Sequence, residues 1–343
     1  MSFRFTARLP LSRHAVDRDN DARADTGLFE RLWADAGTRV LPLWHGKALL
    51  AAPSPAAAAA PRLLLLAPAE LSARLIAALP AGLPASALRV YLGRSLDPDA
   101  AEPVGTPLVA VPLDDEQAAA LEPDASRWVG LRDYATLLSD RDTGILTESL
   151  GILHWHDSHP HCPRCGAATD VTSAGWVRHC PVDGSQVFPR TDAAVIVLIT
   201  DGLDRVLLGS NAMWEANRYS LLAGFVEPGE SFEAAVVREV FEESGLRVAD
   251  PVYQGSQPWP FPASIMVGFT ARLADGQHSA GLVPDGTEIL DLRWFSRAEL
   301  ADPDNGIMLP GVSSIARALI DDWLARPAAV PTAAEAGQGH PGV

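Results

Sequence analysis

Six glutamates fall within the stretch GFVEPGESFEAAVVREVFEESGL, residues 224 to 246, beside Phe225, Val237, Val240 and Phe241. Ser231 is suited to an N-cap and EPGE before it to a turn, so the pattern predicts a helix over 232–244 that Gly245 ends. At about 100° per residue, Glu239, Glu242 and Glu243 share one face as i, i+3 and i+4, with Ala234, Val237, Val240 and Phe241 expected on the opposite face. Like charges so placed cost roughly 0.2–0.5 kcal/mol per pair in a bare helix, a cost that a divalent cation among them removes. An ordinary helix of this composition is a solvated acidic face, because exposed Glu is common and a good helix former. The chemistry that would use the charge is metal-assisted. Hard cations take carboxylate oxygens, keep waters of their own, and can hold a phosphate ligand while acidifying an attacking water.

Two other clusters have chemical potential. Cys162, Cys165 and Cys180 are the only cysteines, and all lie in one short segment rich in Gly and Pro. That grouping fits a metal site in a reducing compartment better than a disulfide framework. A complete ribbon would read CxxC…CxxC, but Asp183 stands at the fourth position. Two readings follow: zinc on three thiolates with Asp183, a nearby histidine (His161 or His179) or water as fourth ligand, or a metal-free ribbon packed around Trp176. The second cluster is SQPWPFPAS, 256–264, where three prolines flank Trp259 and Phe261. It reads either as a stiff loop burying its aromatics or as a rigid platform for a flat ring.

The elements that must position these groups follow from the apolar pattern. Up to about Leu150 the short runs VLPLW, PRLLLLAP, LRVYLG and TPLVAVPL read as strands of a first domain, 1–150. AAPSPAAAAAP, 51–61, reads as a low-complexity surface excursion. A helix over 147–156 leads into a ribbon-like segment, 151–187. A second domain, 188–327, reads as strand (AAVIVLIT), turn (DGLD), strand (RVLLGS), loop, the glutamate helix, strands around VYQGSQ, IMVGFTARL and LDLRWFS, and a helix over 314–324. The tail, 328–343, has no periodicity and is expected to be disordered. With 343 residues, 48% hydrophobic content and a net charge of −16, the chain can bury more than one core and repels nucleic-acid phosphates at long range. The first residues are broken by charges before an apolar core of signal-peptide length develops, and no run reaches membrane-span length, which predicts a cytoplasmic protein.

Gly224, Glu230, Arg238, Glu239, Val240, Glu242, Glu243, Gly245 and Leu246 match every fixed position of the box of the Nudix hydrolases. SQPWPFPAS matches the motif of one branch, the NAD(H) pyrophosphatases. Trp155, His156 and His159 before the CxxC, the ribbon and FPRTD extend the resemblance over most of the chain. It implies an α+β protein: a Nudix fold, a mixed β-sheet sandwiched between helices, preceded by a zinc-ribbon-like insert and a divergent N-terminal α/β domain. It also implies Mg²⁺ or Mn²⁺ held by Glu239 and Glu243, with Glu242 in the same cluster, the Ala223 carbonyl, and Glu288 from outside the box. Glu230 and Arg238 complete the catalytic set. Arg238 is expected to orient a box glutamate such as Glu230 in preference to contacting phosphate. Which carboxylate is the general base varies across the superfamily.

Substrate contacts implied by the resemblance are Phe225, Gln257, Pro258, Trp259, Pro260, Phe261, Pro262, Ala263 and Ser264, together with Phe188 (where the family usually has Tyr), Ala316 and Arg132. The implied reaction is hydrolysis of the NAD(H) pyrophosphate to AMP and nicotinamide mononucleotide, with NADH preferred, and the same cut on NAD-capped RNA 5′ ends. Relatives are homodimers. Alternatives are a hydrolase of another dinucleotide, such as ADP-ribose or diadenosine polyphosphate, and a nucleotide-sensing regulator that contacts partners through its ribbon. Intact box carboxylates argue against the sensor.

Overall fold

The computed structural model describes residues 3–52, 60–79, 83–84 and 86–327. Most of the alanine-rich excursion and the whole 328–343 tail lie outside the described residues. The chain divides into two compact units. One runs from Pro10 to Thr191 and includes Trp259–Ala263; the other combines a segment ending at Leu9 with Asp192–Pro258 and the described chain from Ser264 onward.

In the first unit a sheet is ordered Val16–Asp17, Val90–Ser95, Pro107–Pro112, Arg39–Trp44, Lys47–Leu49 and Trp128–Gly130. Arg39–Trp44 and Pro107–Pro112 pair in parallel, and their apolar runs bury both faces of the sheet. The run PRLLLLAP does not form the expected strand. It makes only single bridges at Leu63 and Leu66 before Pro68 opens a helix, Pro68–Ala78. Proline at the first helical turn favours that start, and Leu71 and Leu75, one turn apart, are both fully buried.

The helix expected over 147–156 begins earlier and spans Asp140–Ser158. Ser139 accepts from the Asp142 amide as its N-cap. Residue 150 therefore lies inside a continuous helix, and the ribbon that follows belongs to the same compact unit as the N-terminal sheet. The ribbon is a small antiparallel sheet of Asp170–Thr172, Val177–His179 and Gln186–Val187. His156 is buried at the junction: Nε2 lies 2.8 Å from the Gly175 carbonyl, and Nδ1 faces the Arg178 guanidinium at 2.9 Å. Burial lowers its pKa, so a neutral ring donates through Nε2 and accepts through Nδ1.

The second unit is a mixed sheet ordered Val248–Trp259, Ser264–Leu273, Asp192–Thr200, Val206–Asn211 and Ile289–Phe295, with Leu222–Phe225 added beside Asp192–Thr200. Alternation along Asp192–Thr200 sends Val195, Val197 and Ile199 toward the helix Phe232–Ser244, and Ile196 and Leu198 toward the helix Ile315–Ala325. Helices cover both faces, which is why AAVIVLIT is apolar without a break. The strand Leu222–Phe225, read in the sequence as loop, is the piece that brings the glutamate helix to the sheet. Among the described residues, no helix is long and apolar enough to cross a membrane.

Candidate active site and metal centres

The glutamate helix has the expected bounds, Phe232–Ser244. The Ser231 hydroxyl accepts from the Ala234 amide at 3.1 Å, and Gly245 closes the helix in the left-handed conformation. The face it buries is not the apolar stripe of Ala234, Val237 and Phe241. The buried residues are Ala235, Val236, Val240, Glu243 and Ser244, whereas Ala234 and Phe241 are exposed and Val237 is half-buried. Phe241 is covered from outside by the Arg247 guanidinium, 4.6 Å from its ring centroid. The helix is rotated so that two of its carboxylates, and not its bulkiest apolar side chain, point inward.

Glu239 lies over Gly224. A Cβ at residue 224 would stand 2.0 Å from the Glu239 carboxyl carbon, so only glycine allows the strand and carboxylate to approach this closely. Arg238 gathers three carboxylates, those of Glu230, Glu239 and Glu242. Its Nε and Nη2 donate to the two oxygens of Glu230 at 2.8 Å each, Nη1 donates to Glu239 and to Glu242 at 2.9 Å each, and Nη2 also reaches the Phe225 carbonyl at 2.9 Å. The bidentate pair with Glu230 is the orienting contact that the sequence suggested for this arginine. It raises the Arg238 pKa and lowers that of Glu230. Burial raises the Glu239 pKa against the pull of Arg238.

Among the described residues, Glu243 has no such counter-ion. It is 5% exposed, and its Oε2 has no hydrogen-bond partner. Burial first, then the charges of Glu239, Glu288 and Asp285, pushes its pKa up to about 8, with the Ala223 backbone amide acting the other way. A buried carboxylate oxygen without a partner, next to a second half-buried carboxylate and a strand backbone, is an all-oxygen donor set of the kind Mg²⁺ and Mn²⁺ take. Glu288 is exposed on the turn before the strand Ile289–Phe295, and its carbonyl accepts from the Ala212 amide at 2.9 Å.

In the ribbon, the ligand atoms of Cys162, Cys165, Cys180 and Asp183 all lie within 4.8 Å of one another. Two matching turns build the group. CPRCG closes with the Gly166 amide on the Cys162 carbonyl, and CPVDG with the Gly184 amide on the Cys180 carbonyl, both glycines having φ above +70°. Asp183 thus occupies the place in the second turn that Cys165 occupies in the first. Ser185 donates its amide and hydroxyl to Asp183 Oδ1, at 2.9 and 2.5 Å, while Oδ2 lies 3.4 Å from Cys162 Sγ. The Ser185 hydroxyl is the main reason the Asp183 carboxyl is held well below the usual range. Neither His161 nor His179 belongs to this cluster. Three thiol sulfurs and one carboxylate oxygen suit a tetrahedral Zn²⁺.

The remaining expected substrate residues separate into available and unavailable ones. Phe225 and Phe188 are 59% and 58% exposed, open to ring contact. Arg132 lies over the Phe261 ring at 3.9 Å and the Trp259 ring at 5.0 Å, while those two rings meet edge to face. Pro258 and Pro262 are exposed, Pro260 is buried, and Ala263 and Ser264 are half-buried. Gln257 does not fit the expectation of a substrate contact. It is fully buried, with Nε2 donating to the Ser313 carbonyl at 2.9 Å and Oε1 accepting from the Ile315 amide at 2.8 Å. Its amide is consumed in fixing the start of the C-terminal helix. Ala316 is likewise buried in the core beneath that helix. Sequence reasoning missed Asp285, Ser185 and the contact over Gly224. The Asp-Gly turn signal at 285–286 pointed to the first, and the fixed glycine that opens the box to the third; nothing in the sequence pointed to Ser185.

The sandwiched mixed sheet, the loop-helix-loop and its inward carboxylates define a Nudix hydrolase. Residues 189–312 match the NUDIX domain family, 37–155 the NADH pyrophosphatase-like rudimentary NUDIX domain, and 157–188 the NADH pyrophosphatase zinc ribbon domain. The chain is 42% identical over 222 residues to proteins named NAD-capped RNA hydrolase NudC from Mycobacterium bovis (strain BCG / Pasteur 1173P2) and Mycobacterium tuberculosis (strain ATCC 25177 / H37Ra), covering 60% of this chain and 70% of each relative. A protein of the same name from Stutzerimonas stutzeri (strain A1501) is 40% identical over 201 residues, covering 59% of this chain and 69% of that protein. The chain belongs to the NADH pyrophosphatase family of the Nudix hydrolases.

Proposed function

We propose that this protein hydrolyses the pyrophosphate bond of NAD(H) with Mg²⁺ or Mn²⁺, giving AMP and nicotinamide mononucleotide in the matching redox state, and that the same cut on NAD-capped RNA releases nicotinamide mononucleotide and leaves a 5′-monophosphate RNA. The observation that carries this reading is the buried, unpartnered Glu243 oxygen beside Glu239 in a complete Nudix box. Glu239, Glu242 and Glu243, the Ala223 carbonyl and Glu288 would hold the divalent ions. When bound, these ions neutralise pyrophosphate oxygens and lower the pKa of an attacking water. Arg238 keeps Glu230 and Glu239 in place through its paired hydrogen bonds. Phe225, exposed on the strand that leads to the glutamate helix, offers a flat face to a nicotinamide or adenine ring. With a chain charge of −16, affinity for capped RNA comes from the cap and not from a basic groove.

Zn²⁺ in the ribbon is structural, on Cys162, Cys165, Cys180 and Asp183. The protein works in the cytoplasm as a homodimer. Turnover of NADH, NAD and ADP-ribose with and without Mg²⁺ or Mn²⁺ tests the reading: metal-dependent release of AMP from NADH, faster than from ADP-ribose, is expected. No turnover of any dinucleotide, or preference for ADP-ribose, overturns it. Light scattering after size exclusion is expected to report about twice the monomer mass, and a strictly monomeric active enzyme contradicts the dimer.

A further inference from the structure

The turn that carries Glu288 gathers three amides on one carboxylate oxygen, and the Gly286 amide donates to the Ile289 carbonyl at 3.1 Å across it. Asp285 Oδ1 accepts the backbone amides of Thr287 at 2.8 Å, of Glu288 at 2.9 Å and of Ile289 at 2.9 Å. Gly286, with φ of +76°, makes the reversal that lets all three amides converge. From the other side, the Ala212 amide takes the Glu288 carbonyl at 2.9 Å, so both backbone polar groups of Glu288 are fixed. Ile289 follows at once, 6% exposed and paired with Asn211 as the strand begins. One residue is therefore clamped between a three-amide turn and an anchored strand while its own side chain stays exposed.

We propose that Asp285 is a positioning residue that fixes Glu288 as the metal ligand supplied from outside the box, an inference that rests on the reading of Glu288 given above. Asp285 acts through the backbone. Its Oδ1 is shared among three donors, and removing it frees three amides and lets the turn open. The glutamate then samples many orientations, and the entropy of ordering it falls on metal binding. A structural turn with no role at the site would affect only folding.

Mn²⁺ binding to the zinc-loaded 343-residue chain, followed by electron paramagnetic resonance of free Mn²⁺, separates these cases. Asp285→Ala is expected to weaken binding roughly 10- to 100-fold, the range for removing a group that orients a metal ligand. Asp285→Glu keeps the charge but is one methylene too long for the same three amides, and is expected to behave like the alanine variant. Asp285→Asn keeps the accepting oxygen and is expected to stay near wild type. Glu288→Ala is expected to weaken Mn²⁺ binding as well, and adding Asp285→Ala to it should weaken binding little further. If Glu288→Ala weakens Mn²⁺ binding but Asp285→Ala only lowers the metal-free melting temperature, the positioning role is overturned while Glu288 remains a ligand. Asn as damaging as Ala, or Glu as good as wild type, would make charge the cause and overturn the proposal too. Unchanged binding in Glu288→Ala removes the ligand and the proposal together.

Discussion

Gly224→Ala isolates the geometry of the metal cluster from its charge. Residue 224 lies in the strand Leu222–Phe225 opposite Val195, with a backbone conformation open to any residue, so alanine brings no backbone strain. Its Cβ would stand 2.0 Å from the Glu239 carboxyl carbon and 2.2 Å from each carboxylate oxygen. To reach an ordinary contact of 3.4 Å, the carboxylate must retreat by about 1.4 Å, which also loosens the 2.9 Å bond from Arg238. A misplacement of about 1 Å at a reacting centre costs on the order of 100-fold, or about 2.7 kcal/mol in the barrier. The expected result is a fall in kcat of roughly 100-fold or more for AMP release from NADH at saturating Mg²⁺. The Mg²⁺ concentration for half-maximal rate should rise, with the circular dichroism spectrum unchanged. Gly311→Ala is the control, since a Cβ there meets nothing within 4 Å. Turnover of Gly224→Ala within threefold of wild type would refute the claim that this close approach sets the position of Glu239.

Glu239→Gln and Glu243→Gln should each lower turnover by roughly two orders of magnitude or more with the fold intact, since each removes a charged ligand; near-normal rates in both at low Mg²⁺ would remove the assignment. Purified protein should carry about one zinc per chain, and Asp183→Ala should lose it faster to a chelator. Zinc-free protein, prepared without chelators, that hydrolyses NADH normally would count against the ribbon site. Glu148, buried in the long helix with Arg18 Nη1 at 3.2 Å, has its pKa pushed up to about 7 by burial against the pull of Arg18 and Arg23. Because the folded chain holds this proton more tightly than the unfolded one, its contribution is whole below the ordinary value of 4.5 and falls as pH rises to about 7. The loss is at most roughly 3 kcal/mol. Glu148→Gln should therefore gain stability over wild type between pH 5 and 8 in chemical unfolding, and a difference that does not change with pH would rule this out.

Local signals predicted the Nudix unit well where they were strong. Ser231 and Gly245 mark the two ends of the glutamate helix because capping is a matter of one or two residues. AAVIVLIT reads as a strand because burial on both faces leaves no polar position in it. The failures lie where tertiary context decides. Leu222–Phe225 is four residues long and becomes a strand only by pairing with residues 194–197. PRLLLLAP is apolar enough for a strand, but its closing proline begins a helix. Gln257 sits in a motif that resembles a ligand loop, and only the structure shows its amide spent on Ser313 and Ile315.

The face that the glutamate helix buries bears on why the charges are there. Pattern reasoning turns Phe241 inward and the glutamates outward, because that orientation buries the most apolar surface. The structure does the opposite with two of them: Glu239 is half-buried over Gly224 and Glu243 is nearly inaccessible, while Phe241 is exposed. Burying a carboxylate without a partner is among the costlier arrangements a fold can hold. Arg238 offsets that cost for Glu230, Glu239 and Glu242, but none of its hydrogen bonds goes to Glu243. An acidic helix face meant only for solubility would have left all four in water, where they cost little. The helix gives up apolar burial to place carboxylates where water cannot satisfy them, and a bound cation is the partner that removes the penalty. The question raised by six glutamates in an apolar stretch is answered by their burial more than by their number.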